Sequence, residues 1–161
     1  MQTYYSWINS PTGQLLLTAN ESGITQLAFA EGRHPPAIDP SWRASEDPLR
    51  EAINQLKAFF AGELRDFDLP LSPDGTPFQR RVWAALQEIP YGQTTSYGSL
   101  AARIGNPAAS RAVGLANGSN PISIIIPCHR VIGSNGKLVG YGGGLPNKRW
   151  LLEFEAFNAM R

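Results

Sequence analysis

The segment SYGSLAARIGNPAASRAVGLANG, residues 96–118, decides the fold of the second half of this chain. Ser96–Ile104 reads as a short helix: Leu100 and Ile104, four apart, place one apolar stripe, and Gly105 supplies the stop just past its end. Asn106-Pro107 starts a second helix at once, running to about Gly118. Two short helices across a Gly-Asn-Pro turn describe a helix-turn-helix or a plain αα-hairpin, and the pattern alone does not choose between them. The second helix is built almost wholly from small residues. Along Ala108–Ala116 only Arg111 could read a base edge with a bidentate side chain. Small residues such as Ala109, Ser110 and Gly114 permit the close backbone approach that a narrow minor groove requires, which means recognition by shape and backbone. They serve tight helix packing equally well.

Upstream, Thr76-Pro77-Phe78-Gln79 has capping-box spacing with Pro in the first turn, and Phe78, Val82, Leu86 and Ile89 keep one apolar face until Pro90. The first thirty residues read as an antiparallel meander. Gln2–Ile8, Gln14–Ala19 and Ile24–Ala30 are strand candidates, separated by Ser10-Pro11-Thr12-Gly13 and Asn20-Glu21-Ser22-Gly23. Residues 31–47, with three prolines and no period, read as loop; Asp47-Pro48 then opens a helix that Gly62 stops. Downstream, Pro121–Ile132 is β-branched and apolar, and Pro127 forbids a continuous helix. A last helix runs over about Pro146–Phe157. The Pro/Gly-bearing stretch Leu69–Gly75 divides the chain into residues 1–70 and 71–161. The fold class is α+β, a small N-terminal sheet followed by a helical C-terminal unit.

Composition narrows the classes. The 161 residues hold one cysteine and two histidines, which excludes an intramolecular disulfide and a four-ligand Cys/His zinc site. No apolar run approaches the roughly 18 residues of a membrane span, and Met1–Ser10 has no signal-peptide pattern, so a cytoplasmic location is expected. The net charge of +1 hides an asymmetry: residues 1–70 carry −4 and residues 71–161 carry +5. The basic half suits an anionic partner, although ordinary scatter gives such a split too.

The lone cysteine lies in Ile126-Pro127-Cys128-His129-Arg130-Val131. A free cysteine is commonly a small buried hydrophobe. Here a histidine adjoins it, Pro127 imposes a bend at which neighbouring side chains converge, and Arg130 adds positive charge that would favour the thiolate. Glu155 is one of four acids in this half that could orient the histidine, and a rim position is its ordinary alternative.

These residues resemble the O6-alkylguanine-DNA alkyltransferase family. The likeness extends from Gly75-Thr76-Pro77-Phe78-Gln79 through Ile89-Pro90-Tyr91-Gly92, Tyr97-Gly98, Arg111-Ala112-Val113-Gly114 and Asn117–Pro121 to Pro127-Cys128-His129-Arg130. It continues through Gly140–Gly144 to Lys148–Leu152. The N-terminal half is similar in architecture alone, to the family's ribonuclease-H-like domain; the C-terminal half resembles its winged-helix domain. The resemblance implies repair of O6-alkylguanine, with O4-alkylthymine as a possible second substrate, by flipping the base and moving its alkyl group irreversibly to Cys128. His129 would take the thiol proton through a water, Glu155 would orient the imidazole, and Asn120 would hold the adjoining turn. Tyr97 would hydrogen-bond the departing guanine and press on the rotating phosphate. Arg111 would fill the vacated stack, with Ala109, Ser110 and Gly114 lying along the DNA. The backbone at Cys128, Val131 and Gly142, beside Tyr141, would read the base. Many relatives carry serine where Gly142 stands, so a roomier pocket is expected. No cofactor and no metal are implied, since the N-terminal half has no cysteine and only His34. The implied partner is duplex DNA, bound through the minor groove without sequence preference by a monomer. A cysteine hydrolase, a damage sensor without transfer and a transcription factor are the competing readings.

Overall fold

The computed structural model describes residues 1–161. The aromatic and β-branched start of the chain folds as β1 (Tyr4–Ile8), β2 (Leu15–Asn20) and β3 (Gly23–Phe29). All pair antiparallel, with Tyr4 opposite Ala19 and Leu15 opposite Phe29. Leu15, Leu16 and Leu17 are completely buried, so the central strand is covered on both faces rather than alternating.

One expectation fails here. Residues 31–47 are not all loop: Arg43–Ala44 form β4, which pairs parallel with β1 and gives the order β3-β2-β1-β4. The sheet is therefore mixed. Both β4 residues are exposed and their pairing is main-chain only, with the Arg43 amide donating to Thr3 O (3.0 Å) and the Ser45 amide to Tyr5 O (3.1 Å). Side-chain periodicity carries no trace of such a strand. A 3₁₀ turn at Asp47–Leu49 leads into α1 (Arg50–Phe60), which buries Ala52, Ile53, Leu56 and Phe59 on the sheet side. Asp47 sits inside that turn and caps nothing. Gly62, at φ +77°, ends the element in the left-handed conformation.

The second half is helical. In α2 (Pro77–Leu86) the capping box is complete: the Gln79 amide donates to Thr76 Oγ1 (3.1 Å) and the Thr76 amide to Gln79 Oε1 (2.9 Å). A two-residue strand, β5 (Thr95–Ser96), runs into α3 (Tyr97–Arg103), where Ser96 Oγ accepts from the Ser99 amide. Gly105 (φ +83°) and a 3₁₀ turn at Pro107–Ala109 lead to α4 (Ser110–Gly118). The helices α2, α3 and α4 pack on one another, and buried Trp83 of α2 donates its indole N–H to Ala116 O of α4 (2.8 Å). After α4 the chain reaches β6 (Val131–Ile132), parallel to β5, and then α5 (Leu145–Ala159). The wing between β6 and α5 is a loop whose first turn is closed by the Gly133 amide on Lys137 O (2.8 Å) and the Gly136 amide on Gly133 O (2.9 Å); no second strand forms in it.

The halves share one contiguous core of 29 buried residues, from Ile8 to Leu151. The free edge of β3 joins them. Its Ile24 pairs with the linker at Pro70 and Ser72, and its Leu27 amide donates to Pro121 O (2.9 Å) while Leu27 O accepts from the Ser123 amide (3.0 Å). No helix is long and apolar enough to cross a membrane.

Removing the cap of α2 tests this reading of its start. Thr76→Ala is expected to cost about 1 kcal/mol, seen in urea unfolding as a lower midpoint with an unchanged slope.

Candidate active site and DNA-facing helix

The cysteine is delivered by a sequence of tight turns. Pro121–Ser123 is fixed along the edge of β3, and Ile124 follows at φ +72°, the one non-glycine residue in the left-handed region. The Ile125 amide donates to Ser123 O (2.8 Å) across it, a strained γ-turn for a β-branched residue. The Cys128 amide donates to Ile126 O (2.8 Å) around Pro127 (φ −80°, ψ 63°), the relaxed inverse form. Asn120 holds the arc together: its Nδ2 donates to Ile126 O (2.8 Å) and Ile122 O (3.3 Å), and its Oδ1 accepts from the Ile122 amide (3.0 Å). Cys128–Arg130 then make one 3₁₀ turn, so a turn of helix after Pro127, rather than a bend, gathers the reactive side chains.

Glu155 of α5 meets that turn. It is 1% exposed, which excludes a rim position. Its Oε2 lies 2.8 Å from His129 Nε2 and accepts from Arg130 Nη2 (3.0 Å); its Oε1 accepts from Arg130 Nε (2.9 Å). Burial by itself raises the Glu155 pKa, but His129 and Arg130 outweigh it and bring the group to about 2. Arg130 also donates to Ile89 O at the end of α2 (2.7 Å). Arg130 is thus committed to the carboxylate, which corrects the expectation that it charges the thiol's surroundings. The remaining ring nitrogen of His129, Nδ1, is buried with no protein partner.

The thiol has a different neighbourhood. Burial raises the Cys128 pKa, opposed by the Asn120 amide and by the positive charge of Lys148. The resting group is therefore a thiol. Sequence reasoning missed Lys148 as a functional side chain. It is fully buried on α5, and its Nζ donates to Val131 O (2.7 Å), Val139 O (2.8 Å) and Gly140 O (3.4 Å), tying β6 and the wing to the helix. Its advance signals are a lysine inside the apolar pattern of the last helix and its place at the head of the family-like run Lys148–Leu152.

Cys128 opens on a cavity of about 270 Å³, just below the roughly 300–1,000 Å³ usual for small-molecule sites. Of the residues singled out in the sequence, Tyr97, Gly114, Asn120, Tyr141 and Gly142 line it with Cys128. A Cβ built on Gly142 meets nothing within 4 Å, so the missing side chain leaves open space. Val131 is not among the walls; its amide donates to Cys128 O within the 3₁₀ turn and its carbonyl accepts from Lys148. Arg33 and His34 of the N-terminal half also reach the cavity, and the Arg33 amide donates to Gly142 O (2.8 Å). Nothing in the pattern of residues 31–47 indicated that approach. Tyr97, half-buried at the start of α3, has its pKa raised by burial and by the Cys128 sulfur. Arg111 is exposed near the start of α4, with Ala109 and Ser110 half-buried just before it. No cluster of three or more His, Cys, Asp or Glu residues could hold a metal.

Comparison with known proteins follows this geometry. Residues 77–157 match the family model described as 6-O-methylguanine DNA methyltransferase, DNA binding domain, and residues 3–73 match its ribonuclease-like domain. A methylated-DNA–protein-cysteine methyltransferase of Methanosarcina acetivorans is 55% identical over 152 residues, covering 94% of this chain and 97% of that one. The protein of the same name from Mycobacterium tuberculosis is 53% identical, covering 97% and 94%. Among solved structures, M. tuberculosis OGT in complex with DNA superposes with a TM-score of 0.90 at 52% identity, over 96% of this chain and 94% of that chain. With both models matched in order and relatives alike over nearly their whole length, this chain belongs to the 6-O-methylguanine-DNA methyltransferase family.

Proposed function

We propose that this protein repairs DNA by direct reversal, moving the alkyl group of O6-alkylguanine in a flipped-out base irreversibly to Cys128. The observation that carries the reading is a buried thiol facing a base-sized cavity while a His–Glu pair lies behind it. A hydrolase would use the same triad types. The small-residue helix beside the cavity and the basic C-terminal half favour DNA instead.

The chemistry follows from the residues. His129 takes the Cys128 proton through a water at Nδ1, and Glu155, bonded to Nε2, orients the ring and stabilises the imidazolium. The thiolate attacks the alkyl carbon in line: the S–C bond forms, the C–O6 bond breaks and guanine leaves with the electron pair. Tyr97 donates its phenol hydrogen to the departing base. Asn120 keeps the cysteine turn in place. The backbone at Cys128 and Gly142 reads the base beside Tyr141, with the carbonyl of Val131 as a more remote contributor. The open space at Gly142 admits alkyl groups larger than methyl. The product thioether resists hydrolysis and the chain has no second cysteine, so each molecule acts once.

On the DNA side, Arg111 enters the duplex from the minor groove and fills the vacated stack, while Ala109, Ser110 and Gly114 let the backbone approach without sequence preference. Residues 1–70 and 71–161 form the two units, the second carrying the chemistry. The protein works as a cytoplasmic monomer.

Incubation with duplex DNA containing O6-methylguanine should add one methyl mass per protein, mapped to Cys128 and saturating at one equivalent. Cys128→Ala should bind the duplex and gain no mass; binding without an adduct in the unsubstituted protein would indicate a sensor. Arg111→Ala should slow repair of duplexes by roughly tenfold or more while sparing reaction with free O6-benzylguanine, and equal losses on both would remove its flipping role. Acid stability tests the carboxylate. The folded-state pKa of Glu155 is about 2, below the ordinary 4.5, so its contribution is fully present above pH 4.5 and is lost as pH falls through 2. That amounts to about 3 kcal/mol. Glu155→Gln should flatten the fall in melting temperature across that window.

A further inference from the structure

The exposed face of α4 carries Arg111, Ala112, Leu115, Gly118 and Ser119. All but two of these side chains are small. Arg111 already has a role in the proposed function; Leu115, one helical turn later on the same side, has none. Its side chain is 71% exposed in the middle of a regular helix, whereas the other most exposed apolar side chains, Met1, Phe157 and Met160, lie at the chain ends. Deleting Leu115 would cost the fold little, because it packs on almost nothing. No acidic residue shares the face. A duplex can therefore come flush against it without charge repulsion, and its two projecting groups are one cation and one isobutyl group.

We propose that Leu115 is an apolar wedge for duplex DNA, seated in the minor groove against sugar rings and base edges one helical turn from Arg111. The spacing suits that occupant. Residues i and i+4 are separated by about 6 Å along a helix axis, close to two base-pair steps of roughly 3.4 Å each. Apolar wedges are a recurrent device of minor-groove binders, where they stabilise a bent or unstacked duplex. A leucine at this place also acts through contact area rather than counterion release. It adds affinity that salt does not screen, in a protein whose net charge is only +1. The inference rests on the reading of α4 as the DNA-facing helix.

The test measures anisotropy of a labelled duplex containing O6-methylguanine over a range of salt concentrations. Leu115→Ala should weaken binding by roughly five- to tenfold, the worth of a leucine side chain about half buried in the groove over alanine, with the slope of log affinity against log salt unchanged. Leu115→Asp should weaken it further. The ratio of duplex to free O6-benzylguanine rate constants should fall in parallel, and thermal melting should hold. Undiminished duplex affinity in Leu115→Ala overturns the proposal. So does equal loss on duplex and free base, or a dimer-to-monomer change in sedimentation without a change in DNA binding. Methyl transfer by the unsubstituted protein, run alongside, reports on the parent reading separately: its absence would refute the alkyltransfer function, whereas anisotropy still decides the wedge.

Discussion

One buried carboxylate organises the reactive half of this molecule. Taking Glu155 out of water is costly, and the cost is met because all its close partners are cationic or can become so: His129 on one oxygen and the Arg130 fork across both. Each bond also fixes a piece of backbone. Through His129 and Arg130 the carboxylate clamps the 3₁₀ turn that starts at Cys128, and through Arg130 and Ile89 O it reaches the end of α2. Seven residues earlier on α5, Lys148 does the same for β6 and the wing by donating to carbonyls. A single helix thus anchors both the cysteine turn, with a carboxylate acceptor, and the far wall of the cavity, with an ammonium donor. The Tyr91 ring extends the arrangement, with the guanidinium groups of Arg130 and Arg65 over it at 5.6 and 5.4 Å from its centre. Arg65 belongs to the N-terminal half and donates to Asn158 O at the end of α5 (2.9 Å).

The N-terminal sheet supports the site in a second way. An open sheet edge is a liability, and β3 has one. Its free groups are taken by the linker and by Pro121–Ser123, the segment that leads to the cysteine. Because that segment is fixed in register, the five residues from Ile124 to Cys128 must turn within a short span, and Ile124 bears the resulting strain at φ +72°. The Asn120 amide opposes the strain by bonding carbonyls on both sides of it. Loop residues Arg33 and His34 complete the cavity rim from the same half. The acidic half thereby shapes the cavity on which Cys128 opens.

What was legible in the sequence was whatever depends on local chemistry. The capping box at Thr76 and Gln79, the Gly105 stop, the three-stranded meander and the helix of small residues all depend on neighbours a few positions away, and each is present in the structure. The site residues recognised through the family motif came as a set, and five of them meet Cys128 around one cavity. The losses are long-range or main-chain effects. β4 is held by backbone alone; Val131 bonds within the 3₁₀ turn and to Lys148 and is not among the cavity walls; Arg130 was placed near the thiol by sequence adjacency, although its side chain runs to a carboxylate 25 residues away. Lys148 was hidden because a lysine is ordinarily solvated, and burying one requires carbonyls that tertiary structure alone can gather.

The surroundings of Cys128 explain why a group meant to react once can wait. A thiolate is the stronger nucleophile, and an exposed, low-pKa cysteine would be consumed by oxidants and stray electrophiles. Here burial holds the proton on sulfur, and the opposing influences of Asn120 and Lys148 do not overcome it. In the proposed transfer the proton leaves only toward His129, so the nucleophile forms where an alkylated base already fills the cavity and excludes solvent. Arg130 would lower the thiol's pKa if it faced it, and would spend the cysteine early. Its capture by Glu155 therefore has a chemical consequence as well as a structural one: the nearest guanidinium in sequence is held on the carboxylate and not on the sulfur, whose proton affinity burial raises.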